Sequence, residues 1–373
     1  MGIVNAFRAL GHKVKLLSLP GSDPEHEESV KPETRTSESL FAHSLRKLME
    51  LTKHVPEFVF ELVELAYNLV AFFRLWRATG APGVNMVYER YSLFMFAGIL
   101  VARLRKIPIL LEVNDSAIVE RVRPLFFRRL ARSIEAWIFR HCDGLVFIST
   151  PFQKKVLQAY GDIAPSVICP NAADLSRFSL EGIDRVKQKE KLGVADRVVC
   201  GYVGAFVYWH GIDWFVREIA PRLKEQTNLA LLLVGDGVVF EEIQQLVAQH
   251  GLQDQVLLPG RIPHEQVRDY IAAMDYGILP DSNDYGSPMK LFEMMAMGVA
   301  LVSPAFGPIE EVLIDNENGW LFPPKNKTAA VEKVLSLASD LENIERVGRG
   351  AQGYIERERQ WTHNVERILG LLP

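Results

Sequence analysis

Short apolar or β-branched runs alternate with longer stretches of helical spacing along nearly the whole chain. That alternation predicts parallel sheets whose strands are joined by helical crossovers. In the first half the expected strands are Val14 to Leu17, Asn85 to Tyr88, Pro108 to Val113, Gly144 to Ile148 and Ser166 to Ile168, with helices over Ser92 to Arg105 and Phe127 to Arg140. In the second half they are Val198 to Val203, Ala230 to Val234, Val256 to Leu258, Tyr276 to Leu279 and Ala300 to Val302, each followed by a helical segment. A polar, charged stretch over 179–196 separates the two arrays, so two doubly wound α/β domains are expected rather than one long sheet.

Two regions depart from this regularity. Gly2 to Leu10 already reads as a first helix and Gly11 to Leu17 as the turn and strand after it, so the usual opening strand and its glycine-rich loop are not found. Because a central parallel strand is buried on both faces and costly to omit, an upstream start is the preferred expectation over loss of that strand. Gly21 to Ser39, rich in Pro, Glu, Ser and Thr, reads as a mobile surface loop or lid. At the other end, Ile355 to Leu371 reads as one helix with Trp361 near its beginning.

With 373 residues, 48% hydrophobic and 24% charged, the chain can bury two sizeable cores. Cys142, Cys169 and Cys200 lie far apart without a C-x-x-C pair and read as small core residues of a cytoplasmic protein. Glu61, Glu64 and Arg74 break the longest apolar run, so no membrane span is expected, and no export signal is recognised. The net charge of −4 divides into +5 for residues 1–180 and −9 for the rest. Much of the positive charge sits within 121–132, where Arg121, Arg123, Arg128, Arg129 and Arg132 interleave with Leu125, Phe126, Phe127 and Leu130. Such a stretch is either a solvated helix face or a peripheral contact with anionic lipid at the inner face of a membrane. No nucleic-acid motif accompanies it.

The richest chemistry lies in Pro280 to Gly298, PDSNDYGSPMKLFEMMAMG. Ser287 reads as an N-cap and Pro288 as the first helical residue, so a helix start follows the strand at 276–279 and its free amides favour an anion. Lys290 puts a full positive charge in that first turn, useful where a diphosphate neutralises it. Glu293 is placed to accept two vicinal hydroxyls, although Lys290 and Glu293 also fit a plain surface ion pair. Three further strand ends turn through glycine or polar loops: CGYVGAFVYWHGID at 200–213, with Gly201 and Gly204 open to a ligand, VGDG at 234–237, with Gly235, and LPGRIPHE at 258–265. Loops at the carboxyl ends of one sheet converge on one crevice. The nine histidines show no metal or triad spacing, and Met289, Met294, Met295 and Met297 read as core.

Taken in order, YVG…HGID, LLLVGDG, LPGRIPHEQV, AAMDYGILP, SPMKLFEMMAMGVALVSP and GPIEEVL…NGWLF resemble the donor domain of family 4 glycosyltransferases of the GT-B fold. PNAADLSRF at 170–178 and LGHKVKLL near the start extend the resemblance over nearly the whole chain, and VYERYSLF with LEVND resembles enzymes of bacterial exopolysaccharide assembly. The resemblance implies two Rossmann-like domains facing a central cleft: 1–180 for the acceptor, 181–354 for a nucleotide-sugar donor, and a helix over 355–373 crossing back. It implies transfer of a sugar, with retention, from a nucleoside diphosphate to a hydroxyl of a saccharide or lipid-linked acceptor, without metal or other cofactor. Glu293 would bind ribose, the backbone of Ser287, Pro288 and Met289 the diphosphate, and Arg261 with Ile262 the base.

Departures from the pattern shape the rest. The first glutamate of the family motif falls at Tyr285, beside Asp284, and the usual Arg and Lys after the first donor strand fall at Ala205 and His210. Lys290 is then the candidate replacement, helped by protonated His210. In the acceptor domain Asn114 stands at the usual histidine, which leaves Asp115 beside it, and Glu89 with Arg90 on the neighbouring loop, as the polar groups facing the cleft. Lys290, Asp115 and Glu89 form the catalytic set. A nucleotide-sugar 2-epimerase and a non-catalytic nucleotide or glycan binder are the rival readings.

Overall fold

The computed structural model describes residues 1–18, 57–120 and 124–372; the expected loop at 21–39 and Arg121 and Arg123 lie outside them. The chain forms two compact units. One comprises Met1–Phe147, Gln153–Cys169 and Val365–Pro373, the other Ile148–Phe152 and Pro170–Asn364.

In the first unit β1 (Val87–Arg90), β2 (Ile109–Val113), β3 (Gly144–Phe147) and β4 (Ser166–Ile168) form a parallel sheet in chain order. Apart from Glu112 on β2, the two interior strands are apolar on both faces, Leu110, Val113, Leu145 and Phe147 being fully buried, as helix-covered parallel strands require. The strand expected at Val14 to Leu17 does not form: residues 12–18 carry no regular structure. A strand takes its hydrogen bonds from a neighbour, and no described strand pairs with this segment.

Helix Glu57–Thr79, which periodicity did not reveal, organises this unit. Glu61 and Asn68, seven residues apart and so on one face, are both buried. The Glu61 carboxylate accepts from the backbone N–H groups of Phe126 and Phe127 at 2.5 and 2.7 Å, just ahead of helix Arg128–His141. Asn68 Oδ1 accepts from Phe96 and Ala97 at 2.8 and 2.9 Å, at the start of helix Ala97–Arg105, while its Nδ2 donates to the Phe94 carbonyl at 2.8 Å. Phe127 and Phe96 occupy the N-cap positions and have no capping side chain of their own, so the long helix supplies both caps.

The second unit holds β5 (Val198–Val203), β6 (Leu229–Val234), β7 (Val256–Gly260), β8 (Tyr276–Ile278), β9 (Leu301–Pro304) and β10 (Trp320–Phe322), all parallel, in the order β10-β9-β8-β5-β6-β7. The direction of winding reverses between β5 and β8, which makes this a doubly wound sheet with its switch point there. Ala173 and Phe178 belong to its core. The helix expected over Ile355 to Leu371 is broken into Leu341–Glu358 and Trp361–Leu369. At the break the Ala173 N–H donates to the Arg359 carbonyl at 3.0 Å, and a bridge to Gln360 takes the backbone out of the helix.

Candidate functional site

The carboxyl ends of β5 and β8 flank the switch point, and the richest sequence passages follow them. Gly204, after β5, has φ of 152°, and a Cβ there would stand 2.5 Å from Lys290 Nζ. Gly235, after β6, has φ of 145°, and a Cβ there would stand 1.9 Å from the Gly204 carbonyl oxygen. Both positions therefore demand glycine, for conformation and for space. The stacked loops are tied by N–H groups of Gly204, Phe206 and Gly235 donating to the carbonyls of Val234, Asp236 and Gly260 at 2.9–3.0 Å. Gly201 differs from its expected role: a Cβ there would meet Met274 Sδ at 2.0 Å, so it admits a core side chain rather than a ligand.

Lys290 is the second residue of helix Met289–Ala296. Its ammonium stands 4.6 Å from the ring centroid of Tyr202 and donates to the Tyr202 hydroxyl at 3.2 Å. Tyr202, wholly buried on β5, donates that hydroxyl to the Ala205 carbonyl at 2.9 Å. His210 Nδ1 lies 2.9 Å from the same carbonyl and 3.3 Å from the Tyr202 hydroxyl. Burial lowers the Lys290 pKa to about 8, against the opposing pull of Glu293. Burial and then the Lys290 charge push the His210 pKa down as well. That direction opposes the protonated helper expected from sequence, and His210 Nδ1 donates to the Ala205 carbonyl.

Ser287 is not the N-cap. Its Oγ accepts from the Asn171 N–H at 2.9 Å, and its carbonyl accepts from Asn171 Nδ2. Pro288 occupies the cap position with no side-chain cap, one residue later than expected, because the serine is engaged by a segment far away in sequence. The opening amides of this helix are thus left without an internal side-chain acceptor. Upstream, Asp284 is exposed, while Tyr285 places its ring 5.1 Å from Phe152 and accepts at its carbonyl from Ser149 Oγ at 2.7 Å.

Glu293 lies one turn beyond Lys290. Burial raises its pKa, and the charges of His264, Arg177 and Lys290 oppose that rise. Arg177 and His264, joined at 3.0 Å, are partners that sequence reasoning missed. Of the other two predicted donor residues, Arg261 is exposed and Ile262 packs on the core.

In the first unit Glu89 and Arg90 lie within β1 rather than on a loop. Strand alternation sends them to opposite faces. Glu89 Oε2 is enclosed without a hydrogen-bond partner against Gly98, and burial raises its pKa to about 7. Arg90 and Asn114 both meet Glu112, at 3.8 and 2.5 Å, and Tyr88 donates to the same carboxylate at 2.7 Å. Glu112 was not foreseen, although it sits opposite Arg90 in the β1/β2 register. Asp115 Oδ1 accepts from the Ser116 N–H at 2.8 Å. The loop it belongs to is pinned by wholly buried Glu135, which accepts from Ser116 Oγ at 2.8 Å, the Ala117 N–H at 3.1 Å, and the Tyr160 hydroxyl.

Residues 1–177 match the family model described as Glycosyltransferase Family 4, and residues 197–340 the model described as Glycosyl transferases group 1. Alpha-D-kanosaminyltransferase of Streptomyces kanamyceticus is 22% identical over 285 residues, covering 74% of this chain and 73% of that protein. The amylovoran biosynthesis glycosyltransferase AmsK of Erwinia amylovora is 29% identical over 164 residues, 40% of each. Among solved structures, Anabaena HepE in complex with UDP superposes with a TM-score of 0.68 at 18% identity, over 81% of this chain and 82% of that one. Two parallel-sheet α/β units of this kind, one with its loops gathered at a switch point, define a glycosyltransferase of the GT-B fold. Within that class, the chain belongs to family 4.

Proposed function

We propose that this glycosyltransferase takes a sugar from a nucleoside diphosphate sugar and passes it, with retention, to a hydroxyl of a saccharide or lipid-linked acceptor in the assembly of a cell-surface polysaccharide. The observation that carries this reading is Lys290: a partly buried ammonium at a helix start, aimed at the Gly204 turn beside the switch point, with Glu293 one turn on. An inward-facing cation is costly to keep charged in the absence of an anion, and a diphosphate with uncapped helix amides around it supplies that compensation. Departure of the diphosphate builds negative charge on its oxygens, and Lys290 and the amides of Met289 and Lys290 are already in place to receive it. In a retaining transfer on one face the departing diphosphate itself takes the acceptor proton, so the chain need supply no nucleophile. The Glu293 carboxylate, within the field of the Arg177, His264 and Lys290 charges, is assigned to the ribose hydroxyls, and Asp115 to the acceptor side; Glu89, enclosed against Gly98, is a carboxylate beneath that side.

The HepE complexes with UDP and with UDP-glucose and the amylovoran assignment of AmsK support the donor class and the polysaccharide setting. The test is incubation with UDP- and GDP-sugars, with and without a saccharide or lipid-linked acceptor, followed by mass spectrometry. Acceptor mass increased by one sugar, only when acceptor is present, is the expected result. An altered sugar with free nucleotide and no need of acceptor would instead identify an epimerase, and unchanged nucleotide sugar throughout would leave a binder.

A further inference from the structure

The helix Glu57–Thr79 is built the wrong way round for water. Its inward face carries Glu61, Asn68, Ala71 and Ala78, all buried. Its outward face carries Leu62, Val63, Leu69, Val70 and Phe73, with Leu69 and Phe73 each 69% exposed. An ordinary surface helix presents the opposite distribution. Further apolar side chains of the same unit are exposed: Leu104 on helix Ala97–Arg105 is 63% and Phe126, two residues ahead of helix Arg128–His141, 65% exposed, and the Phe126 ring lies 5.6 Å from that of Phe58. A recess of about 360 Å³ lined by Phe96, Leu100, Ile134 and Trp137 separates helices Ala97–Arg105 and Arg128–His141 and is almost wholly apolar.

The exposed charge around this surface is nearly all of one sign. Arg77, Arg103, Lys106, Arg128, Arg129 and Arg132 are exposed on the three helices, against Glu64. Neither helix Ala97–Arg105 nor Lys106 after it contributes an acid, and the one acid of helix Arg128–His141, Glu135, is buried. Among the described residues no helix is long and apolar enough to cross a membrane. Exposed apolar side chains accompanied by bases, on helices that do not span, match the interfacial layer of an anionic bilayer: apolar side chains enter the acyl boundary and the bases meet headgroup phosphates.

We propose that this face, centred on Leu69 and Phe73, seats the first unit on an anionic lipid surface. The contact is separate from the chemistry argued above and does not rest on it. The test is cosedimentation of the full chain with vesicles of phosphatidylcholine alone and of phosphatidylcholine with phosphatidylglycerol, comparing wild type with Leu69→Gln/Phe73→Gln, which keeps helix propensity. Binding is expected to the anionic vesicles, weakened by salt, and roughly tenfold or more weaker in the double variant, with circular dichroism unchanged. Equal binding by the variant, or none by the wild type, overturns the proposal. A wild-type dimer in light scattering that the variant loses would assign the face to a second copy, and a lowered melting temperature in the variant would assign it to the chain's own packing; either result also overturns it.

Discussion

At Lys290 an ammonium has been moved out of water and given a tyrosine ring and hydroxyl in place of a carboxylate. Its pKa of about 8 follows from that exchange, since burial penalises the charged form. The charge is therefore present at pH 7 and lost as pH rises through about 8. A diphosphate binds the charged form, so UDP or GDP affinity is expected to fall roughly tenfold between pH 7.5 and 9, as read by calorimetry at constant ionic strength; a flat profile would remove Lys290 from the anion site. The helix start, its lysine and the carboxylate at 293 were legible in the sequence because they lie within a few residues of one another. Tyr202, Arg177 and His264 were not, for each reaches the site from another element. The hydroxyl on the otherwise apolar strand β5 was the available signal for Tyr202.

Among the elements, the buried strands β3, β5 and β6 were read to within one residue of their ends. Short strands that rely on a neighbour were read poorly, as the unformed Val14 to Leu17 and the unforeseen β10 show. Helix Glu57–Thr79 escaped notice because its polar positions face inward and its apolar ones outward, which erases the usual stripe. Its capping role leads to a stability prediction. Asn68→Ala removes partners from two amides and one carbonyl and is expected to cost about 2 kcal/mol or more in chemical denaturation. A change within a few tenths of a kcal/mol would mean that water replaces the cap. In the second unit Gly235→Ala drives a methyl into the Gly204 carbonyl, so lowered thermal stability together with weakened nucleotide binding is expected; a variant matching wild type in both would show that the two loops part freely.

For the whole molecule, the alternation of runs predicted parallel sheets, but strand order is a long-range property that periodicity does not contain. The reversal between β5 and β8 makes the carboxyl ends of those strands the ligand position of the second unit and brings Gly204 against Lys290, residues 86 positions apart. The first unit's described strands run in simple chain order, and its polar centres gather instead on Glu112, which lies in the LEVND passage without having been singled out, and on Glu135, which no motif marked. The most direct measurement of the central claim is calorimetric titration of UDP and GDP into wild type, Lys290→Ala and Glu293→Ala at pH 7. Binding of one of the two nucleotides by the wild type, weakened roughly tenfold or more in each folded variant, is the predicted result; wild-type affinity retained in both variants would contradict it.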